Sequence, residues 1–324
     1  MFVPSPDSDR FPELLTEKAP DRFYEAVGLI ASDPEGRRAL EIRLAIASEG
    51  PTWAERNVEL SVLAMERGGA ATFAVERYRW SQWMFRRGMR QEGPPGFLAP
   101  NHVRGELGEV SFDLLLGGGL GPLPLWPAER RMYRLNAGHA RHYTHQASLK
   151  VAGELSVRGQ TWDLEGWQGH RPHTWCEFIT PGSARLGVHT WDDGQERGME
   201  VHWGAMDIGP GLYPKQVERL VLRAPEQSLS WLGKGSSEHD GLHSSHRGSS
   251  LDVSLPDLLR VRALGPQGSF IRAITPFAEV HVQGKVNAGS HSGWYERFES
   301  DGAPDAWFPP ATLGPHQGVF TISR

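Results

Sequence analysis

The chain has 324 residues, a formal net charge of −5 and a single Cys. One cysteine excludes a disulfide scaffold and a Cys-rich zinc module, and 39% hydrophobic with 10% aromatic residues excludes a disordered chain. The 38 Gly and 24 Pro argue against a helical bundle, because both residues break helices.

The start of the chain has no basic segment followed by an apolar core, so no signal peptide is expected. Residues 12–18 and 82–90 are the two short helical candidates. From there the dominant hydrophobic period is two. In 38–46, Leu40, Ile42, Leu44 and Ile46 fall on one face with Glu41 and Arg43 on the other, the pattern of a half-buried strand with a wet side. Residues 57–64 repeat it with Val58, Leu60, Val62 and Ala64. Further strands are expected at 71–79, 108–116, 147–157, 185–190, 200–206, 216–223, 259–264, 269–274 and 279–286. Arg67-Gly68-Gly69, Gly117-Gly118-Gly119, Asp192-Asp193-Gly194, Gly209-Pro210-Gly211 and Gly265-Pro266-Gln267-Gly268 mark turns between them. A polar Gly/Ser/His-rich loop is expected at about 233–250. The fold class is therefore all-β, a sandwich or barrel. Residues 150–159 and 279–289 echo each other: an alternating strand, a Gly turn, then aromatics and an acid, which suits two related β-domains in tandem.

Acidic residues outnumber basic ones 39 to 34, and the short runs 86–90 and 130–131 read as solvated loops, so no nucleic-acid partner is expected. No apolar run reaches the roughly 18 residues of a membrane span. Peripheral membrane contact stays open. The lone Cys176 fits a reducing cytoplasm.

The densest chemistry lies in 162–178, with Trp162, Trp167, Trp175, His170, His173, Arg171, Cys176 and Glu177. Such a mixture lines a pocket in which aromatic walls hold an apolar ligand and a few polar groups orient it. His and Glu are natural acid/base groups near neutral pH. The alternative is a barrel corner plugged by Trp, whose polar groups bond the backbone. Elsewhere, His139, His142 and His145 have metal-like spacing, yet strand residues three apart face opposite sides, so only His139 and His145 would share a face. Joined by His170 and His173 they would build a three-His site. His239, His243 and His246 fall in the expected loop. Cys176 reads as a small buried thiol, and 117–122 lacks the Lys-Ser/Thr of a phosphate loop.

The segment Gly169-x-x-x-His173-Thr174-Trp175-Cys176 resembles the His-Asn-Trp-Gly signature of hydroxyneurosporene synthase (carotenoid hydratase) and AttH-type proteins. The runs 23–25 and 33–43 resemble that group's opening strands, as 153–157 does a later turn and strand. The resemblance spans the chain from about Arg22 onward. It implies two tandem lipocalin-like (calycin) antiparallel barrels, similar in architecture to tocopherol cyclase. Divided so, the chain has an N-terminal extension at 1–21 and domains at 22–182 and 183–324. The implied ligand is an isoprenoid, polyketide or fatty-acyl compound of the kind handled in secondary metabolism. Thr174 and Cys176 replace the signature Asn and Gly, and Pro172 stands where carotenoid hydratases carry Asp, which removes a carboxyl partner from alkene protonation.

Three functions follow. The first is cofactor-independent isomerisation, cyclisation or hydration of a hydrophobic small molecule. In it the resemblance assigns His173 as the acid/base group and Trp175 as a wall whose π-face stabilises positive charge. The residues themselves add His170 and Glu177 as catalytic candidates and Trp167, Trp162, Tyr143 and Trp191 as ligand contacts. The second is a non-catalytic carrier using the same pocket. The third is a metal-dependent enzyme on the His cluster. No cofactor and no native metal are expected in the first two.

Overall fold

A computed structural model describes residues 23–48, 56–86, 90–118, 123–126, 140–176, 184–191, 198–203, 205–206, 215–216, 218–224, 227–238, 241–246, 248–265, 268–284, 288–300 and 320–323. The expected helix at 12–18, and the turns at 192–194 and 209–211, lie outside the described residues.

The chain forms two large antiparallel sheets. The first begins with β1 (Phe23–Ser32), β2 (Arg38–Ser48), β3 (Arg56–Glu66) and β4 (Ala71–Arg79). It continues through β5 (Met84–Arg86), β6 (Arg90–Gly93), β7 (Gly96–Leu98), β8 (His102–Leu107) and β9 (Val110–Gly117). It ends with β10 (Leu123–Trp126), β11 (Ala140–Val157), β12 (Gln160–Asp163) and β13 (Trp167–Cys176). The second holds β14 (Ala184–Trp191), β15 (Gly198–Trp203), β18 (Glu218–Ala224), β19 (Gln227–Glu238), β20 (Gly241–His246) and β21 (Ser249–Ser254). It is completed by β22 (Leu259–Gly265), β23 (Gly268–Gln283), β24 (Gly289–Ser300) and β25 (Phe320–Ser323), while β16 (Ala205–Met206) pairs separately with β17 (Lys215–Gln216).

The first sheet runs β4-β3-β2-β1-β13-β11-β9-β8-β7-β6-β5. Its ends, β4 and β5, are consecutive in the chain and joined through a 3-10 turn at Trp80–Gln82. Trp83, the next residue, is buried at this seam, edge-on to Tyr78 at 5.9 Å. A Cβ on Gly93 would fall 2.4 Å from its ring, so only glycine admits the indole there. The helix expected at 82–90 is thus a hairpin with Arg86 opposite Arg90. Tertiary pairing around Trp83 overrides the local preference.

Strand alternation fills this first barrel. Val110, Phe112, Leu114 and Leu116 of β9 point in, while Ser111, Asp113 and Leu115 point out. Leu40, Ile42, Leu44 and Ile46 of β2 meet Val58, Leu60, Val62 and Ala64 of β3 in the same core. The β11–β12 hairpin turns on Arg158 (φ 50°) and Gly159 (φ 77°), the two positive φ values of a type I′ turn.

The second sheet closes on itself. Its path is β21-β20-β19-β18-β15-β14-β24-β23, and β23 pairs back onto β21. Strand β23 serves both β22, through residues 268–274, and β21, through residues 279–283. The stretches expected as two strands at 269–274 and 279–286 are therefore mainly one. Its register against β24 shifts between Thr275 and Ala278, around Pro276, which has no N–H to give a ladder. Strand β11 does the same for the first sheet, pairing β10 with its first half and β9 and β12 with its second. The internal echo thus falls on the two long strands that each change partners along their length.

Two expectations change here. The segment 233–250 is not a loop, because most of it lies in β19, β20 and the start of β21. Its Ser and Gly residues satisfy their backbone by ladder pairing, and Leu251 and Val253 anchor β21 in the core. The second change is that β2 has no wet face. Glu41 and Arg43 are 5% and 8% exposed, because the second sheet covers the outer side of the first. Ile30, Ala39, Leu63 and Met65 there pack against Leu259, Val261, Ile274, Phe277 and Trp294.

Candidate functional site

Strand β13 lies between β1 and β11, and its register fixes which residues share a face. His173 pairs with Val27 on one side and Tyr143 on the other. Ala31 pairs with Gly169, and the same register carries Leu29 against Arg171. Directly opposed strand residues share a face, and Val27, Leu29 and Ala31 all belong to the first core. Positions 167, 169, 171, 173 and 175 thus lie on the core side of β13, and 168, 170, 172, 174 and 176 on the outer side.

This alternation separates His170 from His173. His170 is opposite Ile30, is 3% exposed and packs its ring 5.8 Å from that of Trp294, between the two sheets. The side chains of His173, Trp175, Tyr143 and Trp191 lie outside the described parts, as does the whole of Glu177. The backbone still makes Tyr143 and His173 neighbours, while Trp191 stands in β14 opposite His291.

Trp162 and Trp167 are buried in the first core with ring centroids 6.2 Å apart, and the Arg38 guanidinium lies 4.9 Å over Trp162. Six residues separate Trp167 from His173, about 20 Å along a strand. The two Trp therefore line the far end of the same wall. Gly169 lies between, pressed on β1: a Cβ there would meet the Ile30 carbonyl at 2.2 Å. Arg171, which the sequence places in this segment without a role, is 1% exposed and donates from Nη1 to the Ala99 carbonyl at 3.3 Å. Its only signal was parity with His173. A guanidinium on the core side puts positive charge in an apolar interior, where an anionic or carbonyl oxygen is well received.

The two described grooves are charged and outward. One of about 540 Å³ is lined by Phe97, Arg104, Glu106, Asp113, Glu154 and Thr161, among others, and Asp113 Oδ1 lies 2.5 Å from His102 Nε2. The other, about 410 Å³, is lined by Asp33, Arg37, Arg38, Glu66 and Arg67. Among the described residues no three His, Cys, Asp or Glu side chains converge as metal ligands. His142, His145 and His246 are placed by backbone only, and His139 and His239 lie outside the described residues. His243 is exposed, its Nδ1 2.6 Å from Asp252 Oδ1.

A second charged group was missed because Glu41 and Arg43 look solvent-facing in sequence. Arg272 of β23 donates from Nη1 to Glu41 Oε2 at 2.7 Å, from Nη2 to Glu41 Oε1, and from Nε to Glu296 Oε2 at 2.5 Å. Arg43 donates to Glu296 at 3.0 Å, and Arg77 to Glu59 at 3.0 Å. Burial pushes the Glu59 carboxyl above the usual carboxylate range, against the pull of Arg77, Arg43 and Arg272.

Known structures match this architecture. An AttH-type protein from Nitrosomonas europaea superposes with a TM-score of 0.55 at 10% identity, covering 90% of this chain and 96% of that one. Kievitone hydratase from Nectria haematococca gives 0.54 at 9%, covering 91% and 93%. CghA gives 0.54 at 14%, covering 87% and 90%. The fold is the AttH-type double-calycin fold. No protein-family model and no curated protein sequence matches the chain. Among the described residues no helix is long and apolar enough to cross a membrane.

Proposed function

We propose that the chain binds a hydrophobic small molecule against the core side of β13 and converts it without an organic cofactor, by isomerisation, cyclisation or hydration. The observation that carries this reading is the cross-strand row Val27–His173–Tyr143, beside Arg171 on the core side of an otherwise apolar wall. In this reading His173 moves the proton, since imidazole exchanges protons near neutral pH. Tyr143 and Trp175 line the ligand, and an indole face steadies any developing cation. A preformed apolar wall that holds the chain of the ligand folded lowers the entropy cost of a cyclisation. His170 stands on the outer side of the strand and takes no proton-transfer role.

Two of the structural matches support a ligand-handling role: one is a hydratase by name, and CghA has also been solved with Sch210972. The reading keeps residues 22–182 as the ligand-bearing domain and 183–324 as its companion. It also keeps a cytoplasmic setting, on the single Cys176.

The test is a panel of isoprenoid, polyketide and fatty-acyl compounds, followed by Trp fluorescence and by product analysis. We expect one class to shift the fluorescence and be converted, with His173→Ala retaining the fluorescence shift and losing turnover at least 100-fold, the usual scale of one acid/base group. Binding without conversion by the wild type favours the carrier, and full turnover by His173→Ala sinks His173 as the acid/base group.

A further inference from the structure

The outer side of the first sheet carries three cross-strand rows: Ile30–Glu41–Leu63–Phe73, Gly28–Arg43–Ser61–Val75 and Ala26–Ala45–Glu59–Arg77. The second sheet lays Arg272, Ile274, Trp294 and Glu296 over them. The contact therefore has two parts. One is apolar and non-directional. The other is a buried group of three acidic side chains, Glu41, Glu59 and Glu296, and three guanidiniums, Arg43, Arg77 and Arg272.

These parts respond differently to sliding. An apolar face tolerates a shift of one residue, about 3.3 Å along a strand, at a graded cost set by how Phe277 and Trp294 repack against Ile30, Leu63 and Met65. The fork of Arg272 does not. Both of its bonds to Glu41, and the Arg43–Glu296 bond that also crosses between the sheets, are lost by such a shift, which strands buried charges. Desolvation offsets most of the attraction within a buried ion group, so its main effect falls on the wrongly docked states. The flat patch of Ala26, Gly28, Ala45 and Ser61 has no large side chains that would set the position instead.

We propose that Glu41, Arg43, Arg272 and Glu296 form an orientation lock, which selects one docking position of the second sheet on the first rather than adding to the strength of docking. The inference stands apart from the ligand reading.

The experiment replaces the linking four residues in the full-length protein, as E41L/R43M/R272M/E296L, and leaves the Glu59–Arg77 pair in place. Amide ¹H–¹⁵N spectra and thermal unfolding are then compared with the wild type. The lock predicts a variant that melts no earlier, while amides of β2–β4 and β22–β24 split or broaden and those of β8 and β9 stay single. A single sharp set of peaks throughout would overturn it. So would a lowered melting temperature with unsplit peaks, which would make the cluster a source of strength. Should the fourfold variant not fold, Arg272→Lys decides: it keeps the charge and loses the fork. Splitting at the same strands supports the lock, and wild-type spectra overturn it.

Discussion

Gly169→Ala should destabilise the protein far more than its single methyl group implies. The added Cβ would sit 2.2 Å from the Ile30 carbonyl oxygen and 3.0 Å from the Ala31 Cβ. Separations below 3.0 Å do not persist, and the obstacle is backbone, so no rotamer relieves it. Strand β1 must move off β13 near the Ser32 end of their ladder. Overpacking costs about 1–3 kcal/mol, and each weakened ladder hydrogen bond about 0.5–1.5 kcal/mol. The sum, about 2–5 kcal/mol, is a large part of the roughly 5–15 kcal/mol by which domains are stable. At about 2–4 °C per kcal/mol for chains of this class, the midpoint should fall by roughly 5–15 °C. Differential scanning calorimetry on Gly169→Ala and Gly117→Ala measures this, because a Cβ on Gly117 meets nothing within 4 Å. Equal midpoints for the two variants would refute the close approach of β1 and β13.

Glu59→Gln should change the pH dependence of stability. The folded-state pKa of Glu59 is raised, so above 4.5 the folded protein holds this proton more tightly than the unfolded chain, and stability falls as pH rises through that window. Urea unfolding from pH 4 to 8 should therefore show the wild type losing stability relative to Glu59→Gln as pH rises; a difference that is constant or grows with pH would contradict the burial of that carboxylate. Trp83→Ala should cost about 3–5 kcal/mol, as a buried indole does. It should also raise hydrogen exchange in β4 and β5 before other strands, and uniform exchange would argue against Trp83 as the closure of the seam.

What was legible in the sequence was local. The period of two in β2, β3 and β9 reports one buried face directly, and glycine turns report where strands stop. The parity that separates His170 from His173 is also visible, since the two stand three positions apart on a strand. What covers the other face of β2 is not visible, because alternation looks the same whether water or a second sheet lies beyond Glu41 and Arg43. The segment 233–250 failed for a related reason: Ser and Gly carry little hydrophobic signal, so the hairpins that pair β19, β20 and β21 with one another leave no alternating apolar mark, and only the closing partner of β21, Gln283 opposite Ser250, lies further along the chain. Arg171 stood in the same dense segment, but nothing in the sequence separates a guanidinium on the core side from one on the outer side until the register of β13 is known.

The covered outer side of β1–β4 also has a consequence in time. Every strand of the first sheet precedes residue 177, whereas Arg272 and Glu296 follow it by about a hundred residues. At about 5–20 residues per second of synthesis, the nascent first barrel presents Ile30, Leu63, Met65, Glu41 and Arg43 uncovered for roughly 5–20 s. The charges that later bond the second sheet keep that waiting surface partly hydrated. A wholly apolar face would spend the same interval as an open invitation to aggregate.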